Sequence, residues 1–343
     1  MTSQADIILD VRHLSKHYPI ERGLFRKVVG TVKAVDDVSL VLHRGETLGL
    51  VGESGCGKTT LGRCIVRAIE PSQGQILLCV DGQPPVDLAL LDRKTIRPYR
   101  RYINMVFQDP YSSLDPRMTV LDIVGEPLRE NGLAQGPDLE ERVKRVVQQV
   151  GLDVRYLKRY PHAFSGGQRQ RIGIARALAT EPQLIVADEP VTALDVSIRA
   201  QILNLLQDIQ AQMNLAFLFI AHDLSVVQHI SDRVAVMYLG RIVESGATQD
   251  LFTQPAHPYT EALLSALPIP DPDVKRRRLV LPGEIANPAK PPTGCPFHPR
   301  CRYVQKRCME ERPAWVEKAN GRGIACHRAD ELSLTGIAHH GMP

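Results

Sequence analysis

The octapeptide Gly52-Glu53-Ser54-Gly55-Cys56-Gly57-Lys58-Thr59 constrains this chain more than any other feature. It has the G-x-x-x-x-G-K-T spacing, follows the short apolar run 46–51, and opens a helical run at 58–69. In a strand–loop–helix order the glycines turn consecutive backbone N–H groups inward, at the positive end of the following helix, where phosphate oxygens bind. Lys58 adds a cation for the β- and γ-phosphates, and the Thr59 hydroxyl, with Thr60 beside it, is placed for Mg2+. Cys56 reads as a small side chain within the loop, made more reactive if Lys58 lies close.

Three further residues suit the same site. Leu184-Ile185-Val186-Ala187-Asp188-Glu189 is an apolar strand ending in two carboxylates. Asp188 is expected to hold Mg2+, and Glu189 to orient and deprotonate the attacking water. Gln108 ends the strand 103–107 and is placed for Mg2+ or that water, while His222 follows the strand 216–221 and is placed between the γ-phosphate and Glu189. In isolation each is an ordinary polar strand terminus. In an open α/β sheet, strand ends are where ligands bind.

Ser165-Gly166-Gly167-Gln168 has the spacing of a capping box ahead of the helical run 168–178. A cap alone does not call for two glycines, which cost helix stability. They imply a close backbone approach, and the uncovered N–H groups of a helix start favour a phosphate.

At 343 residues the chain has room for about two domains of ~100–200 residues each. Strands are expected at 7–11, 38–42 and 234–238 as well, and a helix at 196–213. Between 111 and 178 the pattern is helical, with Val143, Val146, Val147 and Val150 on one face. This order predicts an α/β fold with a mostly parallel sheet and a helical insertion. Beyond residue 267 prolines cluster around Lys275-Arg276-Arg277-Arg278, which reads as a linker over 268–278 ahead of a small Cys-rich C-terminal module. The expected domains are therefore 1–267, with the helical part at about 111–178, and 268–343. Cys56, Cys64 and Cys79 lie near the glycine loop, whereas Cys295, Cys301, Cys308 and Cys326 crowd into the tail, without the C-x2-C spacing of a zinc ribbon or a ferredoxin.

Forty-two basic against 38 acidic residues, a net +4, is too mild for the basic stripe of a nucleic-acid binder. No apolar run reaches the ~20 residues of a bilayer span, and the first residues lack a secretory leader pattern. The expectation is a cytosolic chain whose membrane role comes through partners.

With these residues assembled, the sequence resembles the P-loop ATPases of ATP-binding-cassette (ABC) transporters, in the branch of dipeptide and oligopeptide importers. The resemblance implies that residues 52–60 bind ATP with Tyr18 stacked on adenine, and that Gln108 senses the γ-phosphate while His222 acts as the switch. It implies that Ser165, Gly166, Gly167 and Gln168 contact the ATP of a second ATPase subunit, identical or a sister chain, which Ala193-Leu194-Asp195 also faces. It further implies two transmembrane permeases, docked near residues 108–118 and the helical insertion, and a periplasmic or extracellular substrate-binding protein. The location implied is peripheral, on the cytoplasmic face of the inner membrane. The insertion 21–31 and Ala256-His257-Pro258-Tyr259-Thr260 resemble features of the same branch. Around Gly294-Cys295-Pro296-Phe297-His298-Pro299-Arg300-Cys301 the resemblance implies a [4Fe-4S] cluster on the four tail cysteines, with Zn2+ the alternative and His298 and His327 as substitute ligands.

Overall fold

A computed structural model describes residues 6–23, 27–80, 83–109, 111–267 and 279–337. The basic linker expected at 268–278 lies outside them. The first part of the chain forms two long antiparallel strands, β1 (Ile7–Arg22) and β2 (Lys27–His43), paired from Ile7 opposite His43 to Arg22 opposite Lys27. The strands expected at 7–11 and 38–42 are the buried ends of this ribbon, and the described parts of the 21–31 insertion, residues 21–23 and 27–31, form its other, largely exposed end. After β3 (Thr47–Val51) and the glycine loop comes α1 (Lys58–Ile65), four residues shorter than expected. The chain leaves the helix there because Arg67 takes φ 56°, its guanidinium bonding the carbonyls of Leu88 and Leu91, each at 2.7 Å. With β4 (Gln73–Leu78) and β5 (Val86–Asp87), the ribbon completes a four-stranded antiparallel sheet ordered β2-β1-β4-β5.

Between β6 (Ile103–Val106) and β7 (Leu184–Asp188) the chain is largely helical, through α2 (Val120–Glu130), α3 (Gly136–Gln149) and α4 (Gly166–Leu178). A capping box of Thr119 and Asp122 starts α2. On α3, Val143 and Val147 are buried, with Val150 just past the end, and Val146 sits at the rim. The chain continues through α5 (Val196–Met213), β8 (Ala216–Ile220), α6 (Leu224–Ile230), β9 (Arg233–Tyr238), β10 (Arg241–Ala247), α7 (Thr248–Thr253) and α8 (Pro258–Ser265). The C-terminal part adds α9 (Lys306–Glu310), β11 (Val316–Glu317) and β12 (Gly323–Ile324).

The second sheet has eight strands in the order β11-β12-β10-β9-β3-β8-β7-β6, parallel from β9 to β6. Every residue of β3, β7 and β8 is buried, as expected of strands covered on both faces. Successive side chains serve two cores. Leu48, Leu50, Leu184, Val186, Leu218 and Ile220 face one, together with α1 and the antiparallel sheet. Ile185, Ala187, Phe217 and Phe219 face the other, with the helices α2 to α5. Parallel β3, β6, β7 and β8 send their carboxyl ends to one edge, and there the glycine loop, Gln108, Asp188-Glu189 and His222 emerge.

The tail is more than an appendage. Strand β12 pairs antiparallel with β10, Glu244 opposite Ile324 and Ser245 opposite Gly323, so the tail extends the main sheet. Among the described residues, no helix is long and apolar enough to cross a membrane.

Candidate active site

The glycine loop is held by its neighbours. Gly57 has φ +110°, and a Cβ added there would lie 2.0 Å from the carbonyl oxygen of Ala34. The Cys56 carbonyl accepts from the N–H of Gly240 at 2.9 Å. Lys58 is 5% exposed, and its ammonium bonds the carbonyls of Gly52 at 2.7 Å and Glu53 at 3.1 Å. A lysine spending its donors on its own loop has a charge ready to turn toward phosphate. Cys56 lies near Lys58, but burial pushes its thiol up despite that ammonium. Burial thus outweighs the ammonium and favours the thiol form, and the side chain fills the loop.

The Thr59 hydroxyl donates to Asp188 Oδ1 at 3.0 Å, joining the first turn of α1 to the end of β7. Asp188 is 1% exposed, and burial pushes its carboxyl up, against the Thr59 hydrogen bond and the nearby Arg63 and Lys58. A buried carboxylate under that penalty, with a hydroxyl beside it, suits a hard divalent cation that takes oxygen ligands. Thr59 and Asp188 are thus the residues that would hold Mg2+.

Glu189 has φ 47°, in the left-handed region that costs a non-glycine residue energy. One of its oxygens, Oε2, gathers three groups: Gln108 Nε2 at 3.0 Å, His222 Nδ1 at 3.1 Å and the Thr192 hydroxyl at 3.1 Å. The structure therefore unites Gln108, Asp188, Glu189 and His222, which lie up to 114 residues apart in sequence (222 − 108). Thr192 was not expected; a Thr three residues beyond a strand-end carboxylate carries no signal of its own. Tyr18 lies beside the start of α1, near Thr60 and Arg63, with the Lys16 ammonium 5.0 Å from its ring centre. It is 37% exposed, so a face remains for stacking.

Ser165 caps α4 as expected: its hydroxyl accepts from Gln168 N at 3.3 Å, and Gln168 Oε1 accepts from Ser165 N at 3.1 Å. The two glycines differ in kind. A Cβ on Gly167 would meet Ile198 Cγ2 at 2.5 Å, so this glycine serves packing against α5 within the chain. At Gly166 the nearest atom would be Leu194 Cδ2 at 3.8 Å, which leaves the helix start open.

The tail reaches the site through a contact the sequence did not disclose. Arg300 grips Glu53 of the glycine loop with both arms of its guanidinium, at 2.7 and 3.0 Å. Glu53 N donates to the Tyr259 hydroxyl at 2.8 Å. Two carboxylates of the body that are buried, Glu261 and Glu244, are also answered by the tail. Glu261, 2% exposed, accepts from the Tyr303 hydroxyl and from Thr335 N, both at 3.0 Å. Glu244, fully buried, accepts from Arg322 Nε at 3.1 Å as well as from the N–H groups of Ala256 and His257. Breaking a buried ion pair costs roughly 3–5 kcal/mol. Because Glu244 keeps two backbone donors, Arg322→Ala is expected to cost about 2–3 kcal/mol, read from chemical denaturation.

The metal centre expected in the tail is not formed. Among the described residues, no three His, Cys, Asp or Glu are arranged to hold a metal ion. Cys295, Cys301, Cys308 and Cys326 instead line one cavity of about 20 Å3, together with His257, His298 and His327. That volume holds about one water molecule. Burial pushes the Cys295 thiol up to about 12 and the Cys326 thiol up to about 11. The four cysteines thus share one cavity, without the arrangement of a formed metal-ligand set.

A phosphate loop, a strand-end carboxylate pair with Gln108 and His222, and an open helix start at Ser165 together define a cassette ATPase. Comparison with known proteins agrees. Residues 35–192 match the ABC transporter family, and residues 243–308 match the oligopeptide/dipeptide transporter C-terminal region. The oligopeptide transport ATP-binding protein AppF of Bacillus subtilis is 51% identical over 94% of this chain and 97% of its own length. The dipeptide transport ATP-binding protein DppF of Haemophilus influenzae is 48% identical over 94% and 97%. Among solved structures, the dimeric post-hydrolysis ATP-binding cassette MJ0796 bound to ADP and Pi aligns at TM-score 0.61 and 27% identity, covering 70% of this chain and 99% of that one. The chain belongs to the ABC transporter ATP-binding proteins, in the oligopeptide and dipeptide branch.

Proposed function

We propose that this chain is the ATP-hydrolysing subunit of an importer of dipeptides and oligopeptides, working with permease and substrate-binding subunits. The observation that carries the reading is the convergence of Gln108, His222 and Thr192 on Glu189, beside an Asp188–Thr59 pair at the foot of the glycine loop. That is the arrangement needed to hold Mg2+, position a water and remove its proton. Relatives with about half the sequence identical are named for peptide transport.

Within this reading, Tyr18 stacks on adenine, and residues 52–60 hold the phosphates. Ser165, Gly166, Gly167 and Gln168 serve the ATP of a second subunit, identical or sister. The open backbone at Gly166 supports that role. Residues 108–118 and the helical stretch from 111 to 178 receive the permease, so the chain works as a peripheral protein at the cytoplasmic face of the inner membrane. The division into 1–267 and 268–343 is functional more than spatial, since the tail strands join the main sheet. The ligand retained by the associated binding protein, identified by mass spectrometry, tests the substrate. Peptides of two or more residues are expected; nickel, an opine or a sugar would replace the substrate class while leaving the ATPase in place.

For the tail, the sharing of one cavity by Cys295, Cys301, Cys308 and Cys326 supports a common metal, either the [4Fe-4S] cluster or zinc, bound once the thiols deprotonate and draw together. Purification without oxygen, followed by iron, sulfide and zinc analysis, decides among these. Iron and sulfide together indicate the cluster and zinc without sulfide the single ion; neither metal would leave the thiols as ordinary core.

A further inference from the structure

We propose that Arg300 of the C-terminal tail is a positioning residue for ATP: by gripping Glu53 it fixes the backbone of the phosphate-binding loop, so ATP affinity depends on the docked tail. The proposal rests on the assignment of residues 52–59 as the ATP loop. Arg300 is 7% exposed, and its two parallel hydrogen bonds to Glu53, at 2.7 and 3.0 Å, fix distance and orientation together. Glu53 is the second residue of the loop and one of two whose carbonyls hold Lys58. Its own N–H is taken by the Tyr259 hydroxyl, so side chain and backbone of the same residue are both clamped.

The clamp is braced from behind. Tyr259 is fully buried, and Phe297, three residues before Arg300, packs against Tyr238, Tyr259 and His257 with ring centres 5.3 to 5.7 Å apart. Arg300 and Phe297 both lie between Cys295 and Cys301, two of the cysteines that line the thiol cavity. A guanidinium buried at such a joint cannot move without losing its partner, so the tail transmits its position to the loop. A loop held in its binding conformation spares ATP the cost of ordering it, and that appears as affinity rather than as chemistry at the γ-phosphate.

The test measures ATP binding and steady-state hydrolysis by the full chain and by three variants, with thermal melting of each. Arg300→Ala is expected to weaken ATP binding about tenfold, equivalent to ~1.4 kcal/mol, with kcat at saturating ATP within about twofold. Arg300→Lys, which keeps the charge but not the fork, is expected to recover part of the loss. The double variant Arg300→Ala/Glu53→Gln leaves no unpaired charge beside the loop. It is still expected to bind ATP at least about fivefold more weakly, because the tether is gone. Amide exchange at residues 52–57 should quicken in both alanine-bearing variants. Affinity restored in the double variant would reduce Arg300 to a charge neutraliser and overturn the proposal. So would unchanged affinity in Arg300→Ala, or slow exchange retained at 52–57. If Arg300→Ala does not fold, the double variant decides the matter by the same two measurements. A wild-type chain that binds no ATP would sink the assignment of the loop itself, and the proposal with it.

Discussion

Glu189→Gln lowers ATP turnover about a thousandfold, within the range ascribed to a positioned general base, while ATP affinity changes less than about threefold. The amide is isosteric with the carboxylate it replaces. With its amide oxygen at the place of Oε2, the variant side chain still accepts from Gln108 and from the Thr192 hydroxyl, and from His222 Nδ1 when that nitrogen carries the proton, so the cluster around Oε2 survives. Lost is the capacity to take a proton from water. Thr59 and Asp188 are untouched, so Mg2+ and the phosphates retain their ligands. Steady-state hydrolysis with a parallel binding titration checks both halves. Turnover persisting within tenfold of wild type would remove Glu189 from the role of base. The left-handed backbone of Glu189 is strain borne at the point where the chain aims this carboxylate at Gln108, Thr192 and His222.

Gly57→Ala damages both the fold and the site. The new Cβ falls 2.0 Å from the Ala34 carbonyl oxygen, a backbone atom that cannot swing away, and the residue must hold φ +110°. Left-handed strain of roughly 1–2 kcal/mol adds to an overpacking cost of roughly 1–3 kcal/mol, so the loss is expected at about 3–4 kcal/mol. Relief by shifting the loop would drag Lys58 with it, and ATP binding falls as well. Gly55→Ala is the matched control. It has φ +79° but no atom within 4 Å, so it carries the strain without the clash and should cost about 1–2 kcal/mol. Denaturation curves and ATP titrations of the two variants side by side check the difference. Equal losses would show that the approach to Ala34 is unimportant.

Much of the site was legible because its signals are local. A glycine loop between a strand and a helix, and two acids closing an apolar strand, are patterns of period and spacing, and α5 lies over the expected 196–213 for the same reason. Gln108 and His222 were legible only as strand ends; their meeting at one oxygen of Glu189 is a property of the sheet order. The antiparallel sheet went unrecognised because β1 and β2 are long, irregular strands with register shifts that blur the alternation. The early end of α1 turns on where the Arg67 side chain finds carbonyls, which no periodicity encodes. The Arg300–Glu53 pair joins residues 247 apart, and a lone arginine between two cysteines gives no hint of it. The tail cysteines were legible as a cluster and converge as one, but spacing says nothing of how close the thiols come.

Peptide import driven from this site is tested most directly by uptake of a labelled tripeptide into proteoliposomes that hold the permeases, the binding protein and both ATPase subunits. With ATP supplied on the side of the ATPases, wild-type chain should give accumulation, and Glu189→Gln in this chain should reduce the rate to below about a tenth, following the loss of its general base. Uptake unchanged by Glu189→Gln would contradict the assignment of this chain as the source of the work.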